Sequence, residues 1–137
     1  MGYTNTIHGK IKRAENFPLF AKCVRELLKQ ETESGVKFAG WDGTKSPKVT
    51  NTSVSFNGSQ EADEDCETCL VCLKNDSGYE FCKTNRNPYD QAVIVTYCLA
   101  HLLLGKNYPE CDDDNCDDNP IPAAMLRAQE IIDKIRK

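Results

Sequence analysis

The sequence has no apolar run long enough to cross a membrane. Its longest one, residues 92–104, is interrupted by Thr96 and His101 and falls short of the ~20 residues that a spanning helix needs. The first residues also lack the apolar segment of a signal peptide. We therefore expect a protein that is neither membrane-embedded nor exported by a standard signal, and we place it in the cytoplasm.

A basic surplus is also missing. The formal net charge is −4, whereas proteins that bind the phosphate backbone of nucleic acids usually carry an excess of lysine and arginine. DNA is therefore disfavoured as the principal ligand. With 39% hydrophobic and 28% charged residues in 137, the chain has the composition of a single soluble globular domain that spans residues 1–137.

Histidine is scarce and cysteine is plentiful. Only His8 and His101 are present, and His101 lies in an apolar stretch, where we expect it to be a hydrogen-bonded core residue. The eight cysteines would stay reduced in a cytosol, so they indicate core packing, metal binding or reactivity before disulfides. We expect most of them in the core.

Hydrophobic periodicity predicts an α+β fold, with a mostly antiparallel sheet covered by helices on one face. The predicted strands are residues 1–7, 36–39, 52–56, 70–73 and 79–83. The predicted helices are residues 16–35, 87–104 and 121–137. We expect the last four strands to form a meander whose final two strands make a hairpin, and the C-terminal helix to pack on the outside.

Residues 81–90 hold the densest group of reactive side chains, at a junction between a strand and a helix. Phe81 is expected to face the helices, and Asn87 to cap a helix that Pro88 begins. A helix start attracts anions, and two cations lie close to it in the sequence. The predicted ligand-binding residues are Tyr3, Lys83, Thr84, Arg86, Tyr89 and Asp90.

Cys82, beside two cations, is a weaker candidate for a nucleophile, because neighbouring positive charge lowers a thiol pKa. Asp90 or Asp42 would assist it in that case. Three interpretations of residues 81–90 stay open: a purely structural junction, an anion or nucleotide site, and covalent catalysis. No cofactor is expected, and an enzyme is the less favoured interpretation.

Two further groups could bind metal. Cys66, Cys69, Cys72 and Cys82 have the spacing of a tetrahedral zinc site, but Cys69 and Cys72 would point to opposite faces of a strand. Free thiols in or beside the core are the favoured alternative. The carboxylates of residues 112–118 could bind a hard cation, yet the glycine and glutamate that an EF-hand requires are not in place. We expect a solvated acidic loop there.

Several motifs resemble a family of small, uncharacterised bacterial and bacteriophage proteins. Members of that family open with Gly-Tyr-Thr-His-Tyr-Trp and carry Phe-Cys-Lys-Thr followed by Lys-Pro-Tyr-Asp. This chain departs from the pattern at residues 5–7, which are Asn-Thr-Ile, and at Asn87, where a lysine is usual. The matching segments are Gly2-Tyr3-Thr4, Asp42-Gly43-Thr44, Phe56-Asn57-Gly58, Phe81-Cys82-Lys83-Thr84, Arg86 and Pro88-Tyr89-Asp90.

The resemblance implies a viral or prophage accessory protein that works in the host cytoplasm. It brings no known activity. Two functions follow as hypotheses. The first is a protein that binds a phosphate-bearing small molecule or a host protein and thereby counters host defence. The second is an enzyme with Cys82 as its nucleophile. The oligomeric state is left open.

Overall fold

The structure is a computed structural model, and it describes residues 4–74, 76–112 and 119–137. The strands are β1 (Thr4–His8), β2 (Phe38–Ala39), β3 (Lys48–Val49), β4 (Ser53–Gly58), β5 (Cys69–Cys72), β6 (Tyr79–Lys83) and β7 (Glu110–Asp112). The helices are α1 (Phe17–Glu33), α2 (Asp90–Leu99) and α3 (Ile121–Arg136). A short 3-10 helix precedes α1, and a π-helical turn, Ala100–Leu104, continues α2.

The α+β class with antiparallel strands is confirmed, and the described elements form one compact unit. The strands form two sheets, however, where one was expected. In the first sheet β1 lies between β6 and β7, and in the second β4 pairs with β2, β3 and β5. Strands β3 and β7 were not predicted, because neither carries an apolar alternation long enough to be noticed.

The predicted hairpin between β5 and β6 is wrong. The β5 strand pairs with β4, Val71 opposite Val54, while β6 pairs with β1, Phe81 opposite Thr6. Asp76 in the connection accepts a hydrogen bond from the Ile11 N–H at 2.6 Å, which ties the connection to the segment after β1. The connection therefore crosses from one sheet to the other and makes no tight hairpin turn.

Helix α1 begins and ends as its sequence predicts. A proline stands in its first turn, and Gly35, with φ of 104°, follows its C-terminal end. One face of the helix is buried, and it includes Phe20, Cys23, Val24 and Leu27. The amphipathic spacing therefore matches the face that enters the core.

Helix α2 is the centre of the core, as its almost wholly apolar composition predicts. Residues 92–99 are all buried, and the helix contacts both α1 and α3. It begins at Asp90, however, so the expected cap at Asn87 is wrong. The Asn87 side-chain amide instead donates to the Asp65 carbonyl at 3.0 Å, and thereby ties the junction to the loop after β4.

Helix α3 packs on α2 and α1. Its buried stripe consists of Ile121, Ala124, Ala128, Ile131 and Ile132. Leu126, on the opposite side, is 70% exposed. No helix among the described residues is long and apolar enough to span a membrane.

Candidate ligand-binding site

Three of the predicted site residues, Thr84, Tyr89 and Asp90, are buried or half-buried. Thr84 is fully buried, and its hydroxyl donates a hydrogen bond to Asp90, whose Oδ1 also accepts the Asn5 amide at 2.8 Å. Burial raises the pKa of the Asp90 carboxyl, while these hydrogen bonds and the charge of Arg86 oppose the rise. Because their polar atoms bond to each other, Thr84 and Asp90 hold the junction between β6 and α2 together.

Tyr89 and Cys82 share one acceptor inside the protein. The Tyr89 hydroxyl donates to the Glu67 carbonyl at 2.5 Å, and the Cys82 thiol lies 3.3 Å from the same oxygen. Both side chains are fully buried, and burial raises the pKa of each well above its ordinary value. A nucleophilic cysteine needs a lowered pKa and access to substrate, so this environment is the opposite of what covalent catalysis requires.

Phe81 faces away from the helices, so the expected orientation is wrong. It is 51% exposed, whereas Cys82 is buried opposite Asn5 of β1. The alternation of a strand allows only one of two neighbours to point inward, and the bonded pair of Thr84 and Asp90 fixes which one does. Phe81 and Lys83 therefore lie on the side of the sheet that faces solvent.

Two predicted residues keep an outward position. Arg86 is exposed and has φ of 58°, and Asn85 before it has φ of 53°, so two consecutive residues hold the left-handed conformation. Lys83 is half-buried, and its backbone N–H donates to the Glu67 carboxylate at 2.7 Å. Tyr3 lies outside the described residues. The predicted set is thus divided between the core and the surface.

The cysteines have different environments. Cys69 is buried on β5 and Cys72 is half-buried, with the alternation expected of opposite strand faces. Cys66 is also half-buried, and the free thiols include Cys23, Cys66, Cys69, Cys72, Cys82 and Cys98. Within the described ranges, no three His, Cys, Asp or Glu side chains are grouped so that they could hold a metal ion. Most of the acidic loop, residues 113–118, lies outside those ranges.

A cavity of about 360 Å³ lies elsewhere, between the turn that follows β2 and the loop that follows β4. We call it the loop cavity. A hydrogen bond of 2.9 Å from the Gln60 N–H to the Gly43 carbonyl joins the two segments. Its lining residues are Phe38, Ala39, Gly43, Thr44, Lys45, Ser59, Gln60 and Glu61. The volume is within the range of small-molecule sites, ~300–1,000 Å³.

Glycines let the backbone segments around the loop cavity approach closely. A Cβ at Gly58 would collide with the Glu64 carbonyl and the Tyr89 ring, and one at Gly40 would lie 2.8 Å from two backbone oxygens. Gly43, with φ of 84°, supplies a conformation that other residues rarely adopt. Lys45 nevertheless has φ of 61°, a strained value of the kind that clusters at functional sites.

The polar groups of the loop cavity suit an anion that also carries hydroxyl groups. Lys45 offers a cation, and the Ser59 Oγ accepts the Ala62 N–H at 3.2 Å, which leaves its own proton to donate. Glu61 offers a carboxylate that accepts hydrogen bonds from hydroxyls. A second hollow of about 350 Å³ shares Ser59 and Glu61 with the first and adds Lys37.

Asp42 is occupied within its own turn. Its Oδ1 accepts the Thr44 N–H at 3.0 Å and the Thr44 hydroxyl at 2.5 Å, and these hydrogen bonds lower the pKa of the carboxyl. It therefore orders the turn that carries the cavity-lining residues. The expectation that Asp42 would assist Cys82 gains nothing from this arrangement.

Part of the loop cavity is marked by motifs that the sequence analysis noted. Two motifs of the resemblance, Asp42-Gly43-Thr44 and Phe56-Asn57-Gly58, flank the segments that line it. The lining residues Lys45, Ser59, Gln60 and Glu61 were missed, because they lie in loops with no periodicity. No protein-family model, no curated protein and no solved structure matches the chain.

Proposed function

We propose that this protein binds a nucleotide-like anion in the loop cavity. The observation that supports the proposal is a cavity of about 360 Å³ in which a lysine, two hydroxyls, a side-chain amide and a carboxylate line one space. Lys45, with Lys37 in the adjoining hollow, binds the phosphates. Glu61 accepts hydrogen bonds from the sugar hydroxyls, as acidic residues do in many nucleotide sites.

Trp41 supplies the aromatic surface in this proposal. It is the only tryptophan of the chain, it is 64% exposed, and it stands two residues before Gly43. An exposed indole is a good stacking surface for a base. The motif resemblance to small bacteriophage proteins makes a viral accessory role in the host cytoplasm part of the proposal. Removing a nucleotide that signals infection is how such a protein would counter host defence.

The test is a titration of the protein with mononucleotides, dinucleotides, cyclic nucleotides and inorganic pyrophosphate. Trp41 emission and the melting temperature are the two readouts. We expect at least one nucleotide to change both, and Lys45→Ala to weaken its binding about tenfold, the value of a lost charge-assisted hydrogen bond. Lys48→Ala is the matched control, because Lys48 is exposed on β3 and lines neither hollow.

The proposal fails if no ligand of this panel raises the melting temperature or changes the emission. It fails equally if Lys45→Ala and Lys48→Ala bind alike. The alternative of an enzyme with Cys82 as its nucleophile finds no support in the buried position of that thiol.

A further inference from the structure

The sheet of β6, β1 and β7 has a face that no described helix covers. Ile7, Asn5 and Cys82 point from this sheet into the core, so the alternate residues point out. The register sets Lys83 opposite Thr4, Phe81 opposite Thr6 and Tyr79 opposite His8. Glu110 of β7 lies opposite Thr6 on the other side of β1. We call the surface formed by Thr4, Thr6, His8, Tyr79, Phe81, Lys83 and Glu110 the outer face.

Aromatic rings in mutual contact run along one side of the outer face. The ring centroids of His8 and Tyr79 are 4.8 Å apart, and those of Tyr79 and Phe81 are 5.7 Å apart. Tyr79 is 46% exposed and Phe81 is 51% exposed. Covering such rings with a partner would contribute about 1–2 kcal/mol each to binding. An exposed row of rings therefore indicates an interaction surface.

The charges of the outer face and of its edge favour a cationic partner. Within the face, Lys83 contributes one positive charge and exposed Glu110 one negative charge. Exposed Glu67 adds a second negative charge at the edge of β6, where its carboxylate accepts the Lys83 backbone N–H. The whole chain has a net charge of −4. Aromatic faces next to carboxylates suit the arginine guanidinium, which stacks on rings and pairs with carboxylates at the same time.

The dimensions of the outer face limit the size of the partner. Three strands at ~4.8 Å spacing, with five residues rising ~3.4 Å each, give a surface of roughly 10–15 Å by 17 Å. That is far below the ~800 Å² that each side of a stable protein complex buries. A short segment fits this area, and a second copy of the chain does not find enough surface for a stable dimer.

We propose that the outer face binds an arginine-bearing segment of a partner protein, with guanidinium groups stacked on Tyr79 and Phe81 and paired with Glu110. The site is separate from the loop cavity, because none of its residues lines either hollow. Specificity for arginine over lysine follows from the planar shape of the guanidinium.

Fluorescence anisotropy with a labelled peptide of alternating arginine and glycine tests this proposal. We expect Phe81→Ala and Tyr79→Ala each to weaken binding about fivefold, and Glu110→Gln to weaken it about threefold. Peptides in which lysine or neutral citrulline replaces arginine should bind less tightly. Leu126→Ala is the control, since it also removes an exposed apolar side chain but lies on α3.

Because the altered side chains are exposed, each variant should keep the circular dichroism and melting temperature of the parent. Equal binding of the arginine and citrulline peptides would overturn the proposal, as would equal losses in Phe81→Ala and Leu126→Ala. Preference for a single-stranded oligouridine over the arginine peptide would assign the rings to nucleic acid. A concentration-dependent dimer that Phe81→Ala abolishes would assign them to a second copy, and either result would also reject the arginine segment.

Discussion

The charged form of Asp90 is disfavoured in the folded protein by burial. Its carboxylate lies at the start of the central helix, largely out of contact with water, and burial raises its pKa above the ordinary 3.8. A carboxyl with a raised pKa in the folded state binds protons more tightly than in the unfolded chain. Its contribution to stability is therefore fully present below pH 3.8 and is lost as the pH rises through the folded pKa.

Asp90→Asn should leave stability at pH 7 unchanged or raise it by about 1 kcal/mol. The asparagine oxygen still accepts the hydrogen bonds from Thr84 and Asn5, and the buried charge is gone. The gain should disappear as the pH falls below the raised pKa of Asp90, where its own carboxyl is protonated. Urea denaturation in steps from pH 7 to about pH 3 measures this difference. Asp133→Asn on the exposed side of α3 is the control. A loss above about 2 kcal/mol at pH 7 would contradict the prediction.

The sequence predicts the role of a residue correctly where that role depends on the residue itself and on its neighbours in the sequence. Pro18 and Gly35 bound α1 because their own backbone preferences do so. Phe81 was assigned to the wrong face, since its orientation depends on the hydrogen bond between Thr84 and Asp90 and on the pairing of Cys82 with Asn5, 77 positions away in the sequence. A local pattern holds no information about such a partner.

At the scale of elements, the helices were predictable and the strand pairing was not. Helices α1 and α3 carry a 3.6-residue period, and α2 an almost wholly apolar composition, within their own segments. Strand β6, in contrast, finds its partner in β1 across about half the chain. The loop cavity escaped prediction for a similar reason, because the turn near Lys45 and the loop near Ser59 meet only after β4 has paired with β2.

One buried ion pair holds three of these elements in place. The Lys106 ammonium, with 1% of its side chain exposed, donates to Asp76 Oδ1 at 2.8 Å and to the Gly9 carbonyl at 2.8 Å. Burial would raise the pKa of Asp76, but hydrogen bonds from Lys106, Ile11 and Gly78 lower it overall. The pair therefore joins the end of β1, the connection between β5 and β6, and the segment after α2.

Lys106→Met should destabilise the protein by about 3 kcal/mol, because it leaves the Asp76 carboxylate without its cation in a poorly hydrated position. The matched control is Lys134→Met, which removes a cation that is 60% exposed beside Glu26 and should cost under about 1 kcal/mol. Urea unfolding of both variants measures the difference. Similar losses in the two variants would show that the buried pair does not hold these elements together.

At the scale of the whole molecule, the reactivity of the cysteine thiols measures how tightly the core is closed to solvent. Cys23, Cys69, Cys82 and Cys98 have no exposed surface, and burial raises the pKa of Cys23 to about 11 and that of Cys98 to about 12. Such thiols react only when the protein opens.

Brief alkylation of the native protein should modify Cys66 and Cys72 and leave the four buried thiols, Cys23, Cys69, Cys82 and Cys98, intact. Alkylation in urea should modify all six. Peptide mass spectrometry identifies the modified positions. Rapid labelling of Cys82 in the native protein would contradict its buried position and revive the interpretation of a nucleophile. Equal labelling of all thiols would show that the core is loosely packed.

The central place of β1 in its sheet has a consequence for synthesis on the ribosome. The strand is complete after His8, yet its first partner begins at Tyr79 and its second at Glu110. At ~5–20 residues per second, the nascent strand waits several seconds with both edges unpaired. Codon choice or chaperone supply over that interval will therefore affect the yield of folded protein, even though the finished sheet has β1 covered on both edges.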